Sequence, residues 1–115
     1  MTLPERDLGL LADVLHFAVR ARSHAGGVSY DAFIGDLSKQ DAVIRCLMVI
    51  GEAAGRLSEA ARAELPQFDW SAMTGMRHVL VHDYGRIDLE RVWNVVANEL
   101  PKLESFLSHY LERVP

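Results

Sequence analysis

The sequence holds one cysteine, Cys46, among 115 residues, so no disulfide can close within the chain, and a reducing cytoplasm is the expected location. No apolar run approaches the roughly 18 residues that a membrane span needs. The first residues, Met-Thr-Leu-Pro-Glu-Arg-Asp, lack the basic-then-apolar order of a secretory signal. Positive charge is not in excess: 12 Lys and Arg against 16 Asp and Glu leave a formal net charge of −4. That balance excludes a protein that coats nucleic acid by bulk charge, although a local basic site remains open. No segment sustains the period-two alternation of a half-buried strand. Repeats, low-complexity tracts and strong linkers are also missing.

What is present is an ordinary globular composition, 50% hydrophobic and 24% charged. The length suits one domain over residues 1–115, large enough to bury about two thirds of the surface its unfolded chain exposes. The apolar spacing predicts an all-α protein, an up-and-down bundle of four main helices plus a short one. A first helix is predicted over residues 4–23, with Pro4 in its first turn, Glu5 and Asp7 complementing its dipole, Leu8, Leu11, Leu15 and Ala18 on one face with Val14 and Val19 alongside, and Gly26-Gly27 as its stop. Residues 29–36 read as a short helix or turn whose Tyr30, Phe33 and Ile34 pack down. The second helix is predicted over residues 38–64, started by a capping box of Ser38 and Asp41, with an apolar stripe from Val43 to Ala61 and a charged stripe of Asp41, Arg45, Glu52, Arg56 and Glu59. Gly51 and Gly55 lie beside that charged stripe. A mid-helix glycine costs ~1 kcal/mol against alanine, so close backbone packing is expected there. Asp69 caps a third helix over residues 70–83, and Asp88 caps a fourth that runs to residue 113, its apolar positions stepping from Leu89 and Trp93 to Tyr110 and Val114. Pro101 is expected to kink it.

Residues 77–84, Arg-His-Val-Leu-Val-His-Asp-Tyr, crowd polar chemistry against an apolar core run. Such crowding is costly unless the groups have partners or a task. His78 and His82 are four apart and neighbour each other on a helix. Arg77 and His82 are five apart, about 140° around the axis. For both to touch one phosphate, the helix must end near His82, the arginine must reach around, or a second chain must contribute. Plainer readings stand beside this one. His78 and His82 could be a metal pair, but zinc needs a third protein ligand and there is no second cysteine. Arg77 could simply pair with Glu52 inside the bundle, which would also orient its guanidinium. Tyr84, Trp70 and Trp93 suit a core, His16, His24 and His109 suit a surface, and the charged stripe of the second helix suits solvent.

The run Arg77, His82, Tyr84 matches Arg-x4-His-x-Tyr, and it resembles the signature of HepT-like proteins in the HEPN superfamily. The similarity continues through Phe33, Asp41-Ala-Val-Ile-Arg45, Ile50-Gly-Glu52, Leu57-Ser58, Trp70, Gly75-Met-Arg77 and Ile87-Asp88 to Trp93. One departure is His78, where the superfamily often carries a small polar residue. The resemblance implies a helical homodimer and a metal-independent endoribonuclease, with no cofactor, acting as the toxin of a toxin–antitoxin pair. It implies an antitoxin that is a minimal nucleotidyltransferase, which in some systems transfers AMP to the motif tyrosine, here Tyr84. Arg77 and His82 are then the catalytic pair, with His78, Asp83, Glu52 and Arg45 supporting them. The small-residue face of the second helix and the exposed side of the third are the expected dimer surfaces. The competing readings are a non-catalytic module that binds a nucleotide or partner protein, and a metal site on His78 and His82.

Overall fold

The structure is a computed structural model that describes residues 3–113, with the side chain of Tyr84 outside the described set. Val114, expected to end the last apolar stripe, also lies outside it. All the described regular elements are helical: α1 (Glu5–Ala25), α2 (Tyr30–Ile34), α3 (Leu37–Arg56), α4 (Glu59–Glu64), α5 (Trp70–His82), a 3₁₀ turn (Tyr84–Arg86), α6 (Leu89–Asn94), a π turn (Val95–Glu99) and α7 (Leu100–Glu112). The all-α bundle expected from the periodicity is therefore what forms. Helix α1 packs against α3 on one side and α7 on the other, while α5 lies on the far side of α3. The core runs along α1 through Leu11, Val14 and Ala18, all fully buried, and meets Val43, Ile50 and Ala54 of α3 and Leu103 and Leu107 of α7. Burying each such leucine or valine contributes roughly 1.5–3 kcal/mol. An ion pair between Arg22 and Glu104 ties α1 to α7 at the surface. No described helix is long and apolar enough to cross a membrane.

Several local expectations are corrected. The second helix starts one residue earlier than expected, and its cap is Asp36, whose carboxylate accepts from the Lys39 amide at 3.0 Å. It also stops at Arg56 rather than continuing to residue 64, because Leu57 turns to extended backbone and Ser58 starts α4 as its cap. The break has a long-range cause. Asp7 does not merely complement the α1 dipole; it is buried, 2% exposed, and accepts from the Ser58 amide at 3.0 Å and the Ser58 hydroxyl at 2.7 Å. Arg62 secures the same corner by donating to the Ala54 and Gly55 carbonyls at the end of α3. Ile34 and Val19, expected on apolar faces, are 38% and 44% exposed. Pro101 does not simply kink the last helix. It lacks the N–H that would return to a carbonyl four residues back, and the preceding turn widens to π, with the Leu100 amide donating to the Val95 carbonyl.

Burial alone would raise the Asp7 pKa, but the two Ser58 hydrogen bonds and the nearby Arg6 charge outweigh it and hold the carboxyl below its ordinary value. A depressed folded-state pKa contributes stability above the unfolded value of about 3.9, and that contribution is lost as pH falls through the folded value. Asp7→Ala is therefore expected to lower unfolding stability at neutral pH by about 1–3 kcal/mol. The gap to the parent protein should narrow as pH falls below the unfolded value of about 3.9 and close once the parent's carboxyl protonates at its lower folded value. Urea melts at neutral and acid pH measure both effects.

Candidate active site

The motif straddles the end of a helix. Asp69 starts α5 by accepting from the Ala72 amide at 2.9 Å. Trp70 anchors that end in the core, 4% exposed, its indole N–H donating to the Leu65 carbonyl at 3.0 Å. At the other end the helix stops at His82, since Asp83 leaves helical geometry at φ −120° and ψ 34°. The Asp83 amide still donates to the Val79 carbonyl, and the Asp83 carbonyl accepts from Arg86 in the 3₁₀ turn, both at 2.8 Å. One of the three conditions for Arg77 and His82 to share a ligand, a helix that ends near His82, is thus met.

Helix α5 rests on α3 and makes only slight contact with the other main helices. The seat is Gly51: a Cβ there would stand 2.4 Å from the Arg77 Cβ and 2.7 Å from the Met73 carbonyl oxygen. Gly55 is a looser fit, its Cβ meeting the Thr74 side chain at 3.4 Å. The close approach expected of these glycines is real, but it is made within one chain. On the small-residue face of the second helix, Gly51 is covered by α5 of the same chain, while Gly55 stays exposed.

At the residue directly after Gly51, Glu52 Oε2 receives Arg77 Nε at 2.8 Å. The pair is a surface one, with side chains 38% and 50% exposed, so it contributes little to stability. Its effect is orientation, because the guanidinium is fixed by its Nε edge. His78 and His82 stand beside each other with ring centroids 4.4 Å apart and planes tilted by 42°. Both are exposed, as are Ser71, Gly75 and Val79, and together these residues form one open face of α5.

The other predicted positions are spread out. Asp83 is exposed and serves the helix end through its backbone. Arg45 is exposed on α3, seven residues before Glu52, and no described residue ties it to Arg77. Tyr84 begins the 3₁₀ turn directly after the helix end. Trp93 packs on Phe33 at 5.2 Å between ring centroids and belongs to the core. Cys46 is buried and its thiol is pushed up by that burial, against the pull of Arg20 and Arg45, which disfavours the thiolate. Among the described residues no three His, Cys, Asp or Glu side chains gather to hold a metal ion. A cavity of about 140 Å³ lies between α3, α5 and the final helices, lined mainly by apolar groups such as Leu47, Ile50, Met73 and Leu103 with Arg91 and Glu99 among them. It is separate from the Arg77–Glu52 pair, which sits on the surface rather than in a pocket.

Comparison with known proteins identifies the family of the chain. A family model described as Ribonuclease HepT-like matches residues 14–110. A Methanocaldococcus jannaschii protein provisionally named an RNase is 31% identical over 103 residues, which cover 89% of this chain and 85% of that protein. A second from the same organism, also provisionally named an RNase, is 35% identical over 86% of this chain and 83% of its own length. A Thermococcus cleftensis protein provisionally named ribonuclease HepT is 32% identical over 67% of this chain and 70% of its own length. No solved structure matches the chain.

Proposed function

The chain belongs to the HepT-like ribonuclease family, and from that premise we propose that it is a metal-independent endoribonuclease, the toxin of a toxin–antitoxin pair, with Arg77 and His82 as its catalytic residues. The observation that carries the reading is the oriented Arg77 on the last turns of a helix that ends at an exposed His82. Cutting RNA without a metal requires the ribose 2′-oxygen to attack the adjacent phosphorus. The new P–O2′ bond forms as the P–O5′ bond breaks, giving a 2′,3′-cyclic phosphate and a free 5′-hydroxyl. One group accepts the 2′-OH proton, another gives a proton to the leaving 5′-oxygen, and a cation meets the charge on the phosphorane. Histidine titrates near neutrality and serves either proton step. The terminal nitrogens of Arg77 suit the phosphate oxygens, while its Nε stays on Glu52.

One chain brings one motif histidine, so base and acid come from two copies in a homodimer. The open α5 face of Ser71, Gly75, His78, Val79 and His82 supports that pairing, with Val79, 42% exposed, as its apolar centre. His78, next to His82, is a second proton carrier in this scheme. A nucleotidyltransferase antitoxin would silence the site by covering it or by transferring AMP to Tyr84, two residues from His82, where an anionic adduct repels RNA.

The test is incubation of the purified chain with single-stranded RNA in excess EDTA. The expected result is cleavage that leaves cyclic phosphate ends. Cleavage that needs added metal would support the His78–His82 metal site instead. Tight binding with no scission would leave a non-catalytic module.

A further inference from the structure

Glu52 faces two arginines. Its Oε2 receives Arg77 Nε at 2.8 Å, and its Oε1 stands 4.0 Å from Arg56 Nε, one helical turn along α3. The first contact is a charge-assisted hydrogen bond. The second is too long to be one. One carboxylate thus serves two guanidinium groups, and one positive charge of the three groups stays unbalanced. Arg56 holds the loose end. Its side chain is 64% exposed, and its contact with Glu52 is made at Nε, at 4.0 Å. Its backbone is not loose, because Arg6 Nη1 donates to the Arg56 carbonyl at 2.9 Å where α3 stops. The two guanidinium groups thus flank the two oxygens of one carboxylate.

We propose that Arg56 is a second phosphate grip: RNA held at its scissile phosphate by Arg77 lays a neighbouring phosphate against Arg56, with Glu52 as the spacer between them. This rests on the ribonuclease reading. The ordinary role for such a residue is an i,i+4 surface pair with Glu52, worth only a few tenths of a kcal/mol. That weakness favours the grip, since Glu52 is committed to Arg77 and Arg56 can turn to an anion at little cost. Arg56 is a positioning residue here, not a catalytic one.

The experiment compares the parent protein with Arg56→Ala and Arg56→Lys in two assays. The first is binding of a 2′-O-methyl RNA oligomer, which cannot be cut, across a range of salt. Arg56→Ala should lower the slope of log affinity against log salt by about 0.7, the share of one phosphate contact on a single strand, and Arg56→Lys should keep the slope. The second assay is cleavage of an oligomer and of a dinucleotide that carries only the scissile phosphate. For the oligomer, KM should rise about tenfold in Arg56→Ala with kcat within about twofold, as expected for one charged hydrogen bond lost. The dinucleotide should be cut equally by both proteins. An unchanged salt slope, or an equal loss on the dinucleotide, overturns the grip. A parent protein that binds the oligomer with the larger slope but cuts neither substrate overturns the ribonuclease reading and leaves the grip standing.

Discussion

Replacing His82 with alanine is expected to lower RNA cleavage by about 10²–10⁴-fold, the usual contribution of a positioned proton carrier, while the fold stays intact. The structural half of the expectation follows from exposure. His82 is the last residue of α5, it is exposed, and its ring stands 4.4 Å from that of His78. A surface substitution of this kind shifts stability by no more than about 0.5 kcal/mol. The chemical half follows from position. In the proposed mechanism His82 is the proton carrier, and it sits where the helix ends and the chain turns, so an RNA strand lying across the end of α5 would reach its ring. The measurement is initial cleavage rate together with far-ultraviolet circular dichroism and a thermal melt. A folded His82→Ala protein that cuts RNA at the parental rate would remove His82 from the chemistry. His78→Ala serves as the comparison, because the neighbouring ring could take over part of the proton transfer only if it faces the same groove.

Much of this arrangement is legible in the sequence, and the parts that are not have specific reasons. The glycine spacing at 51 and 55 announces a close helix approach, because no other feature compensates a glycine in mid-helix. It does not say which helix arrives. The partner is α5 of the same chain, through Met73 and Arg77, and nothing in the pattern separates that from a second copy. The Arg77–Glu52 pair is legible for a similar reason: a cation crowded among core residues needs a carboxylate, and Glu52 is the nearest acidic group beside the glycine seat. The break after Arg56 is not legible. Its cause is Asp7, 51 residues away, whose carboxylate takes both polar groups of Ser58, and a long-range cap leaves no local mark. Without that partner the apolar stripe reads as one helix through residue 64. Pro101 shows in the sequence as a disturbance, but the form it takes, a π turn closed by Leu100 on Val95, depends on backbone geometry that periodicity does not carry. Arg56 reads as part of a solvated stripe until Glu52 is seen to turn toward Arg77 and leave it behind.

Gly51→Ala should damage the protein more than its size suggests, whereas Gly55→Ala should not. An added Cβ at Gly51 falls 2.4 Å from the Arg77 Cβ and 2.7 Å from the Met73 carbonyl oxygen. Neither obstacle is the free end of a flexible side chain, so α5 itself has to move. Overpacking of this kind costs about 1–3 kcal/mol, and the ~1 kcal/mol gained in helix propensity offsets only part of it. Because α5 is supported mainly by α3, the strain goes into displacing the helix that carries Arg77 and His82. A shift near 1 Å at a positioned group costs up to ~10²-fold in rate. Gly51→Ala should therefore lose cleavage beyond what its stability loss explains, even at temperatures where it is fully folded. At Gly55 the new Cβ meets the Thr74 methyl at 3.4 Å, an ordinary contact. Gly55→Ala should melt at the parental temperature or slightly above it, by up to ~1 kcal/mol, with activity retained. Denaturant melts and cleavage rates for the two variants, made in parallel, separate a tight seat from a general intolerance of α3 to side chains. Equal behaviour of the two would mean that Gly51 does not set the position of α5, and the orientation of Arg77 would then have to come from Glu52 alone.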